Sequence, residues 1–151
     1  MAANLTTYGM QSTACPSFEV MASHGNCPDG VLFATNNSFS NTVRWNQGSH
    51  FNTATGAFTA PVTGRYLFCA TCRFDNVVAE SYMHLGPNTS NVARTSMAIT
   101  MSMNRTYESL TCVVITDMDA SDTCYCQWYM SGGSTSSDLS GESTFSMCLL
   151  T

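Results

Sequence analysis

"FNTATGAFTAPVTGRYLF", from Phe51 to Phe68, is the stretch on which the fold turns. Thr-Ala-Thr-Gly offers a turn, because Gly56 takes a positive φ at no steric cost. Phe58 and Ala60 then alternate with Thr59, in the period of two that sends successive strand side chains to opposite faces. Pro61 has no amide hydrogen to pair, and Gly64 closes a second turn before a longer strand opening on Arg65, with Tyr66 and Phe68 two apart. The segment predicts strand, turn and strand. Nothing in it is nucleophilic or placed for acid–base work, so it specifies a fold and not a reaction.

Outward from this stretch the same pattern recurs. Apolar runs of four to eight residues, rich in Val, Thr, Tyr and Phe, are bounded by clusters of Gly, Pro, Asn, Asp and Ser, which is the signature of an all-β sandwich or barrel. Ten strands are expected, at Phe18–Ala22, Val31–Thr35, Phe39–Trp45, Ala57–Thr59, Arg65–Phe74, Ser81–Gly86, Met97–Met103, Ser109–Thr116, Thr123–Met130 and Ser143–Leu150. "DMDASD", Asp117 to Asp122, reads as a compact acidic turn that would pair its two flanking strands as an antiparallel hairpin. Residues 1–14 read as a polar N-terminal arm and residues 15–151 as one domain.

Composition narrows the function classes. A chain of 151 residues, 44% apolar, is long enough to bury one sizeable core. Its charged fraction of 10% lies far below the usual value of about 25%. The net charge is -5, there is no Lys, and Arg44, Arg65, Arg73, Arg94 and Arg105 are scattered singly. Gripping phosphates needs clustered positive charge, so neither nucleic acid nor a membrane surface is an expected partner. No stretch approaches a membrane-spanning length, and the first residues carry neither a basic region nor an apolar run, so export by the usual route is not expected.

Eight cysteines invite a disulfide or metal reading. Cys69 and Cys72 are an odd number of residues apart on one expected strand and so point to opposite faces. Cys124 and Cys126 share a face, but lie roughly 6.6 Å apart at ~3.3 Å of rise per residue, with parallel side chains. Buried thiols are the leading reading, ahead of some disulfides and of a metal site. His24, His50 and His84 lie in separate segments without a second ligand at metal spacing, and no Ser-His-Asp set stands out. No catalytic centre is read. Met97, Ile99, Met101 and Met103 mark one face of a strand, read as packing before an adaptable binding surface.

Two segments also carry a resemblance. "NQGSHFNTATGAFTAPVTGRYLF", Asn46 to Phe68, and "STFSMCLL", Ser143 to Leu150, resemble in order and spacing the central signature and closing strand of the globular head domain of complement's first component, subcomponent q. The resemblance runs from about Pro16 to Leu150. It implies a ten-stranded jelly-roll sandwich, shared with the tumour necrosis factor ligands, with Phe51, Gly56, Phe58, Pro61, Gly64, Tyr66, Phe68 and Phe145 in structural positions. It also implies a tight homotrimer in which one sheet of each protomer faces a threefold axis. Some members bind calcium near the trimer top, which makes "DMDASD" a candidate, although a solvated turn is the favoured reading and no cofactor is expected. Where the family has Gly-Phe near its end this chain has Met147-Cys148, and no collagen-like repeat precedes the domain.

The expectation is a non-enzymatic trimeric binding or structural module. Without a signal, stalk or catalytic set, the first reading is a virion protein made in the host cytoplasm: a capsid decoration (cement) protein or fibre knob, docked on the particle through residues 1–14. The alternative is a secreted, complement-like recognition protein that binds glycan or protein ligands through apical loops.

Overall fold

The strand expected to end at Phe74 runs on to Thr89. In the computed structural model, which describes residues 15–30, 32–35, 40–90, 98–132 and 137–150, the described residues form nine strands and no helix. These are β1 (Ser17–His24), β2 (Leu32–Ala34), β3 (Ser40–Gln47), β4 (Phe51–Asn52), β5 (Ala57–Thr59), β6 (Gly64–Thr89), β7 (Ala98–Met118), β8 (Thr123–Ser131) and β9 (Asp138–Leu149). The expected count of ten changes for two reasons. Four expected strands fuse into two long ones, β6 of 26 residues and β7 of 21, and the two-residue β4 is added.

Fusion occurs because β6 and β7 pass together from one layer into another. Gly64 to Asp75 of β6 pairs with Tyr107 to Met118 of β7 on one side, and Tyr66 to Asp75 pairs with β9 on the other. The register slips between Val77 and Glu80, next to Asn76 with its positive φ of 58°. Asparagine tolerates that left-handed conformation better than most residues. Beyond this corner Tyr82 to Thr89 pairs with β8, and Tyr82 to Leu85 keeps pairing with β7.

The first layer therefore runs β3-β1-β9-β6-β7, antiparallel throughout. In the second layer the far edge of β8 is shared by β2 at Gln127 to Tyr129 and by β5 at Thr123 and Cys124, and β4 pairs with β5. Hydrogen bonding is continuous around the corners, so one ladder folds over into two layers, an all-β jelly roll.

The expected hairpin around "DMDASD" is not formed. β7 ends at Met118 opposite Gly64 in the first layer, whereas β8 begins at Thr123 opposite Thr59 in the second. The connection crosses between layers, held to the segment after β5 by Ala60 N–H to Asp122 O and Ser121 N–H to Ala60 O, at 2.8 and 2.7 Å. A turn sequence sets the local reversal but not which strand lies alongside. Both flanking strands have an inward apolar side, and they bury it from opposite layers.

Inward side chains fill the space between layers. Phe18 of β1 stacks on Phe51 of β4 at 4.5 Å and on Phe58 of β5 at 5.2 Å, and meets Phe145 of β9 edge-on at 4.8 Å. At the other end Phe74 meets Trp128 at 6.0 Å. Each such ring taken out of water contributes about 1.5–3 kcal/mol, with up to ~1.5 more for favourable ring geometry.

Candidate functional site

The eight residues singled out from the motif are framework. Phe51, Phe58, Tyr66, Phe68 and Phe145 are all in the core and at most 3% exposed. Gly56 has φ +64°, and a Cβ there would stand 1.8 Å from the carbonyl oxygen of Thr35. Thr35 explains the closeness. Its hydroxyl donates to Gly56 O at 2.8 Å and accepts from the Cys126 amide at 3.2 Å, tying the β4–β5 turn to β8. Pro61 is half-buried in the bend between β5 and β6, and Gly64 is the first residue of β6. The Tyr66 hydroxyl donates to Val62 O at 2.7 Å, closing that bend, and burial pushes its pKa up.

The outer side of the first layer has a different character. Strand alternation turns Leu67 and Cys69 of β6 outward, beside Ile115 and Val113 of β7 and Cys148 and Ser146 of β9. Val113 is 54% and Ile115 57% exposed, although both are β-branched and apolar. Across β1, Trp45 of β3 is 46% exposed and lines, with Leu67, Cys69 and Cys148, a depression of about 280 Å³. The charges that rim this band are paired. Arg65 meets Asp117 at 3.3 Å at one end. Arg73 meets Asp75 at 2.9 Å, pairs with Glu142 and lies 4.9 Å over the Tyr107 ring at the other. Arg44 meets Glu19 at 3.2 Å on the flank. An apolar centre with a polar rim is the make-up of a contact surface.

Other candidates give less. In the acidic turn, Asp122 accepts the Asp119 amide at 2.7 Å and the Ser90 hydroxyl at 2.9 Å, while Asp119 accepts from Thr63 at 3.5 Å. These carboxylates brace the crossing between layers. His84 is buried against Tyr129, ring centroids 5.1 Å apart, and His24 lies 4.6 Å from Phe33. Among the described residues no group of three or more His, Cys, Asp or Glu side chains is arranged to hold a metal ion. Ile99, Met101 and Met103 fall in β7, while Met97 and the arm of residues 1–14 lie outside the described residues. All eight cysteines are thiols. Cys72 is buried and Cys69 only half-buried, the opposite-face placement expected of them, and Cys124 and Cys126 are both buried on one face.

The outer face was not read from the sequence. Its signal is weak but present, since both phases of the alternation carry apolar residues at Tyr66–Leu67–Phe68 and again at Cys112–Val113–Val114–Ile115. A strand with a solvated outer side repeats apolar residues in one phase only.

Fold and face together define a class, a two-layered jelly roll with an exposed apolar band on the outer side of one layer. The C1q domain model matches residues 31–150, and the chain belongs to the C1q domain family. Among solved structures it is similar to the globular domain of zebrafish complement 1qA protein, with TM-score 0.65 and 13% identity over 90% of this chain and 97% of that one. It is also similar to murine APRIL, with TM-score 0.63 and 12% identity over 90% and 99%. At such identities the likeness speaks for the fold. No curated protein matches the chain.

Proposed function

We propose that this protein is a non-enzymatic recognition module that self-associates as a homotrimer through the outer side of its first layer. It acts outside the cell and binds protein or glycan ligands through its loops. One observation carries the reading: the band of Leu67, Val113, Ile115 and Trp45, two of whose β-branched members are more than half exposed in the single chain. Family membership supports the complement-like reading over the virion one. A capsid or fibre role rests on what the sequence lacks and on the arm of residues 1–14, which lies outside the described residues.

Light scattering at micromolar concentration tests the assembly. A particle of three chains is expected, and Ile115→Arg should convert it to a folded monomer with an unchanged far-ultraviolet spectrum. A monomeric parent protein, or a trimer that tolerates Ile115→Arg, would remove the face from the function.

A further inference from the structure

Cys72 and Cys126 confront each other across the core. Cys72 is on the inward side of β6 in the first layer, Cys126 is on the inward side of β8 in the second, and neither is more than 2% exposed. Their neighbours set the alignment. Two residues further along each strand, Phe74 and Trp128 meet at 6.0 Å with their planes at 60°. Two residues return a strand to the same face. The same step taken backwards on both strands sets Cys72 against Cys126, and the neighbouring Cys72 thiol pushes the Cys126 pKa upward.

Other pairings are worse placed. Cys124 and Cys126 run parallel on one strand, and Cys69 and Cys72 point to opposite sides of another. On the outer face Cys148 is opposite Leu67 and Cys69 is opposite Ser146, which leaves those two cysteines a diagonal apart. Cys72 and Cys126 unite facing layers and full burial, and each stands two residues before one of the two rings that meet across the core. An inter-sheet bond packed beside a buried tryptophan is also the arrangement that immunoglobulin sandwiches use, and Trp128 stands two residues from Cys126.

We propose that Cys72 and Cys126 close into a disulfide that staples the two layers when the chain folds in the presence of a small-molecule disulfide such as oxidised glutathione. One cysteine thiolate attacks the reagent, forming a mixed disulfide and releasing one reduced thiol. The second thiolate then attacks the mixed disulfide, which forms the Cys72–Cys126 bond and releases the other thiol. Two protons leave the protein, and its two electrons end on the reagent as two thiols. Attack requires a thiolate, which the sealed core disfavours, so closure belongs to folding, before the layers pack.

The test is a refolding of the reduced full chain in oxidised and reduced glutathione, followed by alkylation of remaining thiols under denaturant and peptide mapping by tandem mass spectrometry. A linked peptide pair holding Cys72 and Cys126, lost on reduction, is expected, with the other six cysteines alkylated. The oxidised protein should unfold at a urea concentration roughly 1 M above that of the reduced one. In Cys72→Ala, Cys126 should become alkylated and the midpoint should stop responding to reductant. Eight alkylated cysteines in the parent protein, or Cys126 linked to Cys112 or Cys124, would overturn the assignment. Mapping of the parent protein decides the matter even if the variant does not fold.

Discussion

Along β6, Tyr66, Phe68, Ala70, Cys72 and Phe74 turn inward and are at most 2% exposed, while Leu67, Cys69, Thr71 and Arg73 of the same strand turn outward. The inner set meets rings of the second layer, as Phe58 on Tyr66 at 5.6 Å, and is satisfied within one chain. The outer set meets its neighbours within the same layer, Ile115, Val113 and Thr111 of β7 and Cys148, Ser146 and Thr144 of β9, with a shallow depression above. Both sides contain apolar residues, so composition does not separate them. What does is whether the chain supplies a cover, and for the outer side it supplies none among the described residues.

The largest effect should come from the inner side. Phe68→Ala removes a ring that lies 5.3 Å from Phe145, and should cost about 3–5 kcal/mol in urea unfolding. A cost below ~1 kcal/mol would mean that the inner side is no better packed than the outer.

A smaller effect, spread over several groups, concerns how well the inner side is sealed. Burial pushes the thiols of Cys27 and Cys112 up to about 11 and that of Cys124 upward as well, while the neighbouring Cys72 thiol, with burial, raises Cys126. Below about pH 9 these thiols keep their protons whether folded or unfolded, and their stabilising contribution is complete. Between pH 9 and 11 the unfolded chain gives up protons that the folded one retains, so stability should fall as pH rises, by ~2–3 kcal/mol per thiol shifted two units. Urea midpoints measured in reductant from pH 8 to 11 would show this, and a flat profile would mean that water reaches the core.

The smallest effect belongs to the outer side. Thr71 and Thr111 share a hydroxyl hydrogen bond at 3.2 Å on the exposed surface. Thr71→Ala should shift stability within about 0.5 kcal/mol. A cost comparable to that of Phe68→Ala would break the contrast between the two sides.

The inner side was legible and the outer was not, for one physical reason. Burial within a chain imposes strict alternation, and Phe58, Tyr66, Phe68 and Phe145 stand in phase with it, as Gly56 does with its turn. The outer side follows no such rule, and Leu67, Cys69 and Thr71 read as any mixed exposed edge. The corner at Asn76 escaped for a related reason: a single left-handed residue lets two strands become one, whereas the sequence around it reads as a break. The acidic turn misled because it does reverse the chain, the Asp122 amide donating to Asp119 O at 3.0 Å, while its flanking strands answer to different layers.

β9 lies between β1 and β6 in the first layer, its Phe145 opposite Val20 on one side and Ala70 on the other. It also follows the other eight described strands in chain order. Synthesis runs from the N-terminus, so β1 and β6 leave the ribosome with their central partner still unmade, and their pairing edges must wait. The first layer closes only when its final strand slots into the middle. Closure of the first layer therefore waits on β9, and until it arrives β1 and β6 each present an open edge.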